Sequence, residues 1–92
     1  MSKNLHEIYN ILPKSDIIKD NDSELTSLTS DSREVVEGSL FICLKGIHSD
    51  GHDYIEKAIA QGAKAFIVSK DVVLPDGVGA IKVEDTREAM LL

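Results

Sequence analysis

Apolar residues fall along this chain in two kinds of pattern, a helical stripe and short continuous runs. From Asn4 to Leu12, the residues Leu5, Ile8, Tyr9 and Leu12 share one helical face. Asn4 suits the N-cap of that helix, and Pro13 ends it. Lys14 to Ser23 is polar apart from Ile17-Ile18, which reads as either a brief strand or a loop. Glu24 to Ser30 alternates weakly, as a strand rich in Ser and Thr would. Asp31-Ser32-Arg33 and Glu37-Gly38 are turn signals, because Asp and Ser side chains can satisfy nearby backbone N–H groups.

Leu40-Phe41-Ile42-Cys43-Leu44 is the strongest strand signal, apolar on both faces like an interior strand. Lys45 to His52 reads as a loop. Asp53 is expected to cap a helix running to Gln61, with Tyr54, Ile55, Ala58 and Ile59 on its buried side and Gly62 as its stop. Ala65-Phe66-Ile67-Val68 is a second buried strand. Leu74-Pro75-Asp76-Gly77 is a turn, and Ala80-Ile81-Lys82-Val83 a third strand. Asp85 is expected to cap a last helix from Thr86. That helix meets an apolar end, Ala89 to Leu92, with no closing cap, which reads as a boundary with more protein beyond it. Strand, helix and strand from Leu40 to Val68 form a βαβ unit with a right-handed crossover. The fold class is therefore α/β: a small mixed β-sheet of about four to five strands with flanking helices.

Composition narrows the function. Ninety-two residues allow one domain, and 42% apolar with 28% charged residues is a globular balance. A formal charge of −6 argues against nucleic acid or membrane surfaces as partners, since both are anionic. A small anion remains possible where backbone N–H groups, hydroxyls or a Lys or Arg converge. Cys43 is the only cysteine, so no internal disulfide is expected. With no signal-like or spanning segment, a cytoplasmic location is expected.

No phosphate loop, dinucleotide fingerprint, zinc pattern or nucleophile elbow is present, so no catalytic residue is assigned. His48, Asp50, His52 and Asp53 are metal-ligand types within six positions, but the simpler reading is a polar loop, with no metal. Ser30-Asp31-Ser32-Arg33 is either a self-satisfied turn or a cradle for a phosphate or sugar. The loop after Leu40–Leu44 leaves the carboxyl end of its strand for a helix start, where ligands of α/β sheets bind.

Asp31-Ser32-Arg33, then Gly38-Ser39-Leu40-Phe41 with Gly46, then Asp50-Gly51-His52-Asp53-Tyr54-Ile55, then Ala58 to Ala65 with Gly62-Ala63, resembles the opening signature of the Mur ligases. The wording Ser39-Leu40-Phe41-Ile42-Cys43-Leu44-Lys45-Gly46 is most similar to the MurE type, with the MurF type as the alternative. The resemblance implies that residues 1–92 are a single amino-terminal domain that holds the uridine diphosphate end of UDP-N-acetylmuramoyl-L-alanyl-D-glutamate. Central and C-terminal domains of a parent ligase would follow, with ATP and magnesium in the central one and no cofactor here. The parent would add the third peptide residue in peptidoglycan synthesis, and this part alone would be inactive. Residue by residue, the resemblance puts nucleotide contacts at Ser30, Ser32, Ile47, His48 and Ser49. Asp31, Arg33, Asp50, Gly51 and His52 would brace the two loops. A non-catalytic interaction or regulatory domain on the same fold is the remaining reading.

Overall fold

A computed structural model of the chain describes residues 3–12, 14–46 and 49–91, and leaves the side chains of residues 88 and 91 undescribed. Pro13, Ile47, His48 and Leu92 lie outside the described residues, so the expectations placed on them have no structural counterpart.

Helix α1, Leu5–Ile11, starts where the sequence predicts. The Asn4 side chain accepts from the Glu7 N–H, and the Glu7 carboxylate accepts from the Asn4 N–H, which closes a capping box. Five strands follow: β1 Asp16–Lys19, β2 Ser27–Thr29, β3 Ser39–Ile42, β4 Ala65–Val68 and β5 Gly79–Lys82. Helix α2 is Ile55–Ala60. The sheet order is β1-β5-β4-β3-β2. Strands β2 to β5 run parallel, and β1 pairs antiparallel with β5 at one edge. The predicted mixed sheet and its βαβ unit are both present.

The interior strands are buried on both faces, and their side chains alternate between two cores. Leu40, Ile42, Ala65, Ile67 and Ile81 pack with Leu5, Ile8 and Leu12 of α1 and its end. Phe41, Cys43, Phe66, Val68 and Ala80 face the other way, against Ile55 and Ala58 of α2. The rings of Phe41 and Phe66 meet edge to face with centroids 6.0 Å apart, the arrangement their quadrupoles favour. Burying each of these large side chains contributes roughly 1.5–3 kcal/mol, so the paired cores hold strands β3 and β4 at fixed height.

Several expectations need correction. The cap of the second helical segment is Asp50, not Asp53. The Asp50 carboxylate accepts from the His52 N–H and opens a 3₁₀ turn, Gly51–Tyr54, before α2 begins. Asp53 lies inside that turn. Tyr54, expected on the buried side, is 38% exposed, because the tighter turn rotates it off the core face. Tyr9 is likewise exposed. The final helical segment, Thr86–Leu91, is 3₁₀ rather than α, although Asp85 does accept from the Arg87 N–H at its start. Gly62 ends α2 as expected, with φ of +111°.

Candidate functional site

The carboxyl ends of the parallel strands all point to one edge of the sheet, where open α/β sheets place their ligands. Strand β2 runs into the Ser30–Arg33 turn, and β3 runs into the loop that reaches Asp50. The two meet across a cleft of about 510 Å³. Ser30, Ser32 and Ser49 line it from the two loops, with Gly46 and Gly51 between them. Thus the sequence-predicted Ser30, Ser32 and Ser49 come together, with Asp31 and Arg33 beside them. Phe41 and Leu44 supply the apolar part of the lining.

Each loop is held by an aspartate that accepts from the residue two places on. Asp31 accepts the Arg33 N–H at 2.9 Å and both ends of the Arg33 fork, at 3.0 and 2.8 Å. The guanidinium and the amide hold the Asp31 carboxyl down at about 2. Consequently Arg33 is largely committed to Asp31, as a brace. Asp50 accepts the His52 N–H at 3.0 Å and the His52 Nδ1–H at 2.5 Å, while Lys70 Nζ donates to its other oxygen at 3.2 Å. The His52 ring and amide, then Lys70, hold Asp50 well below the usual carboxylate range.

His52 is buried, and its Nε2 accepts from the Ser69 N–H at 3.0 Å. That bond fixes the tautomer: Nε2 carries the lone pair and Nδ1 the proton. The loop after β3 is therefore tied to the end of β4. Both ring nitrogens are occupied, which leaves no lone pair for a metal. Among the described residues no group of three His, Cys, Asp or Glu could hold one, and His48 lies outside them.

Gly51 permits the tight path of this loop. A Cβ there would lie 2.7 Å from the Leu44 nitrogen and 2.8 Å from Cys43 Cα, closer than such atoms approach. The expected anion site at a helix N-terminus is not available in the form foreseen. The His52 N–H goes to the Asp50 side chain and the Asp53 N–H to the Asp50 carbonyl. These donors are spent internally.

The donors that remain are hydroxyls and one ammonium. Ser30, Ser32 and Ser49 have no side-chain hydrogen bond to any described residue, whereas the Ser32 carbonyl is held by Gln61 Nε2 at 2.9 Å. Lys57 of α2 lines the same cleft, forms no ion pair with a described residue, and its charge reaches Asp31. Two cations, Arg33 and Lys57, thus face one carboxylate, Asp31. Sequence reading missed Lys57. The available signal was its position one turn into the helix that follows the loop, where a side chain can lean back toward the helix start.

Comparison with known proteins gives a consistent set of relatives. The model of the family described as "Mur ligase family, catalytic domain" matches residues 24–91. The UDP-N-acetylmuramoyl-L-alanyl-D-glutamate--2,6-diaminopimelate ligase of Clostridioides difficile strain 630 is 52% identical over 67 residues, 73% of this chain and 14% of that protein. The ligase of the same name from Clostridium perfringens strain 13 is 40% identical over 78 residues, 84% of this chain and 16% of that protein. Among solved structures, MurF from Acinetobacter baumannii superposes with a TM-score of 0.82 at 22% identity, over 98% of this chain and 20% of that one. At that identity the likeness is one of fold. MurF from Thermotoga maritima, in complex with ADP, gives 0.60 at 34% identity over 70% of this chain and 14% of that one. This chain therefore spans between 14% and 20% of the length of these relatives.

Proposed function

Because the chain belongs to the Mur ligase family, with MurE-type sequence relatives at 40–52% identity, we propose that it is the substrate-anchoring domain of such a ligase. Its ligand is the uridine diphosphate end of UDP-N-acetylmuramoyl-L-alanyl-D-glutamate. The observation that carries this reading is the cleft between the loops after β2 and β3, where three serine hydroxyls and Lys57 stand without side-chain partners among the described residues. A diphosphate needs donors and positive charge, and hydrogen bonds to an ionised acceptor are the stronger kind. The cleft offers both, on a domain whose net charge is −6.

Each group has a role in this reading. Ser32 donates its hydroxyl to the diphosphate, and Lys57 balances its charge. Ser30 lies beside them. Ile47, His48 and Ser49 contact uracil and ribose. Asp31 and Arg33 keep the first loop in shape, and Asp50, Gly51 and His52 keep the second. The chemistry of bond formation, with ATP and magnesium, belongs to the central and C-terminal domains of the parent, which adds the third peptide residue in peptidoglycan synthesis. The MurF alternative rests on structural neighbours at lower identity, and the sequence relatives favour the MurE type.

Calorimetric titration of the chain with UDP tests the proposal. Binding is expected, and Ser32→Ala is expected to weaken it about tenfold, the worth of one hydrogen bond to a charged group. Equal affinity of wild type and both single variants, Ser32→Ala and Lys57→Ala, would count against it.

A further inference from the structure

The loop that supplies Gly46, Ser49 and Gly51 to the cleft is fastened to the sheet through one buried ring. The His52 side chain is 3% accessible. Its Nδ1–H donates to Asp50 at 2.5 Å, within the same turn, and its Nε2 accepts from the Ser69 N–H at 3.0 Å, just past the end of β4. Only a neutral ring does both. An imidazolium carries a proton on each nitrogen and accepts at neither.

A proton therefore acts unequally on the two sides of the ring. It arrives at Nε2, which holds the in-plane lone pair, and sets a new N–H against the Ser69 N–H. The Asp50 side is kept and strengthened, because that hydrogen bond becomes charge-assisted at both ends. The ring stays with its own turn and gives up β4. One other tie crosses the same gap, from Lys70 Nζ to Asp50 at 3.2 Å. The Lys70 side chain is 56% accessible, and so exposed a pair holds little. The charged and titratable groups around the ring are Asp50 and Asp53 on its own turn, Lys70 after β4, and Cys43 after β3, whose thiol burial pushes up to about 12. Lys45, Glu84, Asp85 and Arg87 line a cleft of about 700 Å³ together with Ser69. Asp50 is held well below the usual carboxylate range, so it stays ionised where histidine normally changes charge.

We propose that His52 is a proton-operated latch on the nucleotide cleft. Neutral, it holds the loop after β3 against the end of β4; protonated, it releases the loop and weakens binding of the diphosphate. The inference rests on the reading of that cleft given above. Its sign follows from the geometry: the acceptor at Nε2 exists only without the proton, so the latch is closed at higher pH and opens as pH falls.

The test follows the nitrogen-labelled chain between about pH 8 and about pH 5, the interval in which histidine is the side chain that ordinarily changes charge. Ring-nitrogen shifts report the His52 proton, the Ser69 amide shift reports the tie, and calorimetry reports UDP affinity. The Ser69 amide is expected to follow the His52 ring through a common midpoint. UDP affinity is expected to fall about fivefold, the worth of one hydrogen bond, beyond the loss that protonation of the phosphate itself produces. His52→Gln supplies that reference: its amide oxygen accepts from Ser69 but takes up no proton, and the variant keeps His6, His48 and every other titrating group. Its Ser69 amide is expected to stay fixed, and its affinity to lack the extra fivefold loss. A Ser69 amide that stays fixed while the wild-type ring takes its proton, a ring that remains neutral to the end of the titration, or an equal loss of affinity in both proteins overturns the latch. The Ser69 readout needs no variant, so it decides even where His52→Gln fails to fold. If UDP does not bind at the alkaline end, it is the reading of the cleft that fails, and the Ser69 shift still decides whether the ring is a latch.

Discussion

Three turns at the carboxyl edge of the sheet repeat one device, an aspartate that accepts both the amide and the side chain of the residue two places on. Asp31 and Asp85 use it with arginine, Asp50 with histidine. The arginine versions are exposed: the side chains of Arg33 and Arg87 are 82% and 77% accessible. Exposed pairs are screened and contribute little, so these forks shape their own turns and no more. The histidine version is 3% accessible and reaches further, because the far ring nitrogen accepts from the Ser69 N–H. Same local chemistry, different burial: one holds a turn, the other fastens a loop to a neighbouring strand.

Several changes break or sharpen this contrast. The largest effect is expected from Gly51→Ala, since the new methyl meets the backbone of Cys43 and Leu44. A loss of about 3 kcal/mol, read by urea denaturation, is expected from overpacking at this position. His52→Ala comes next. It leaves the Ser69 N–H and the Asp50 carboxylate without their partner, and about 2 kcal/mol is expected. Asp31→Ala is expected to cost clearly less than His52→Ala. Equal losses would show that burial does not set the difference.

Acid titration separates the turns more gently. Asp31 is depressed from its ordinary value of 3.8 to about 2, so its contribution to stability is complete above 3.8 and is lost as pH falls through about 2. Asp50 is depressed further and should protonate after Asp31 as pH falls. Carboxyl carbon shifts measured by NMR check the order, and the reverse order contradicts it. The smallest effect is at Cys43, whose thiol burial pushes up to about 12. A thiol reagent at pH 8 should leave it unmodified until the chain is unfolded.

Much of this was legible in the sequence where one force dominates. Leu40–Leu44 and Ala65–Val68 are apolar on both faces, and only an interior strand between two layers buries both. Asn4 followed by Glu7 can close a capping box, and it does. The β1 strand was ambiguous because an edge strand buries only half of a short segment, and Ile18 stays exposed. Asp50 and Asp53 are equally good caps on paper. The choice fell to Asp50 because Gly51 lets the chain pass close to Cys43 and Leu44, a tertiary constraint that no local pattern carries.

The site was legible in the same uneven way. Ser30, Ser32 and Ser49 belong to loops that follow neighbouring parallel strands, and strand order brings them to one cleft. Lys57 was hidden, because a lysine on an exposed helix face usually means solvent. Its approach to the cleft depends on α2 packing beside the 3₁₀ turn. The binding role of His52 that metal spacing suggested disappears once both ring nitrogens have partners.

The central claim is that the cleft between the loops after β2 and β3 receives a uridine diphosphate. Mapping of amide shifts in the labelled chain as UDP is added tests it most directly. The account predicts that perturbed residues cluster at Ser30, Ser32, Ser49 and Lys57. Shifts gathered on the opposite edge of the sheet, around Ser39 and Lys64, would contradict it.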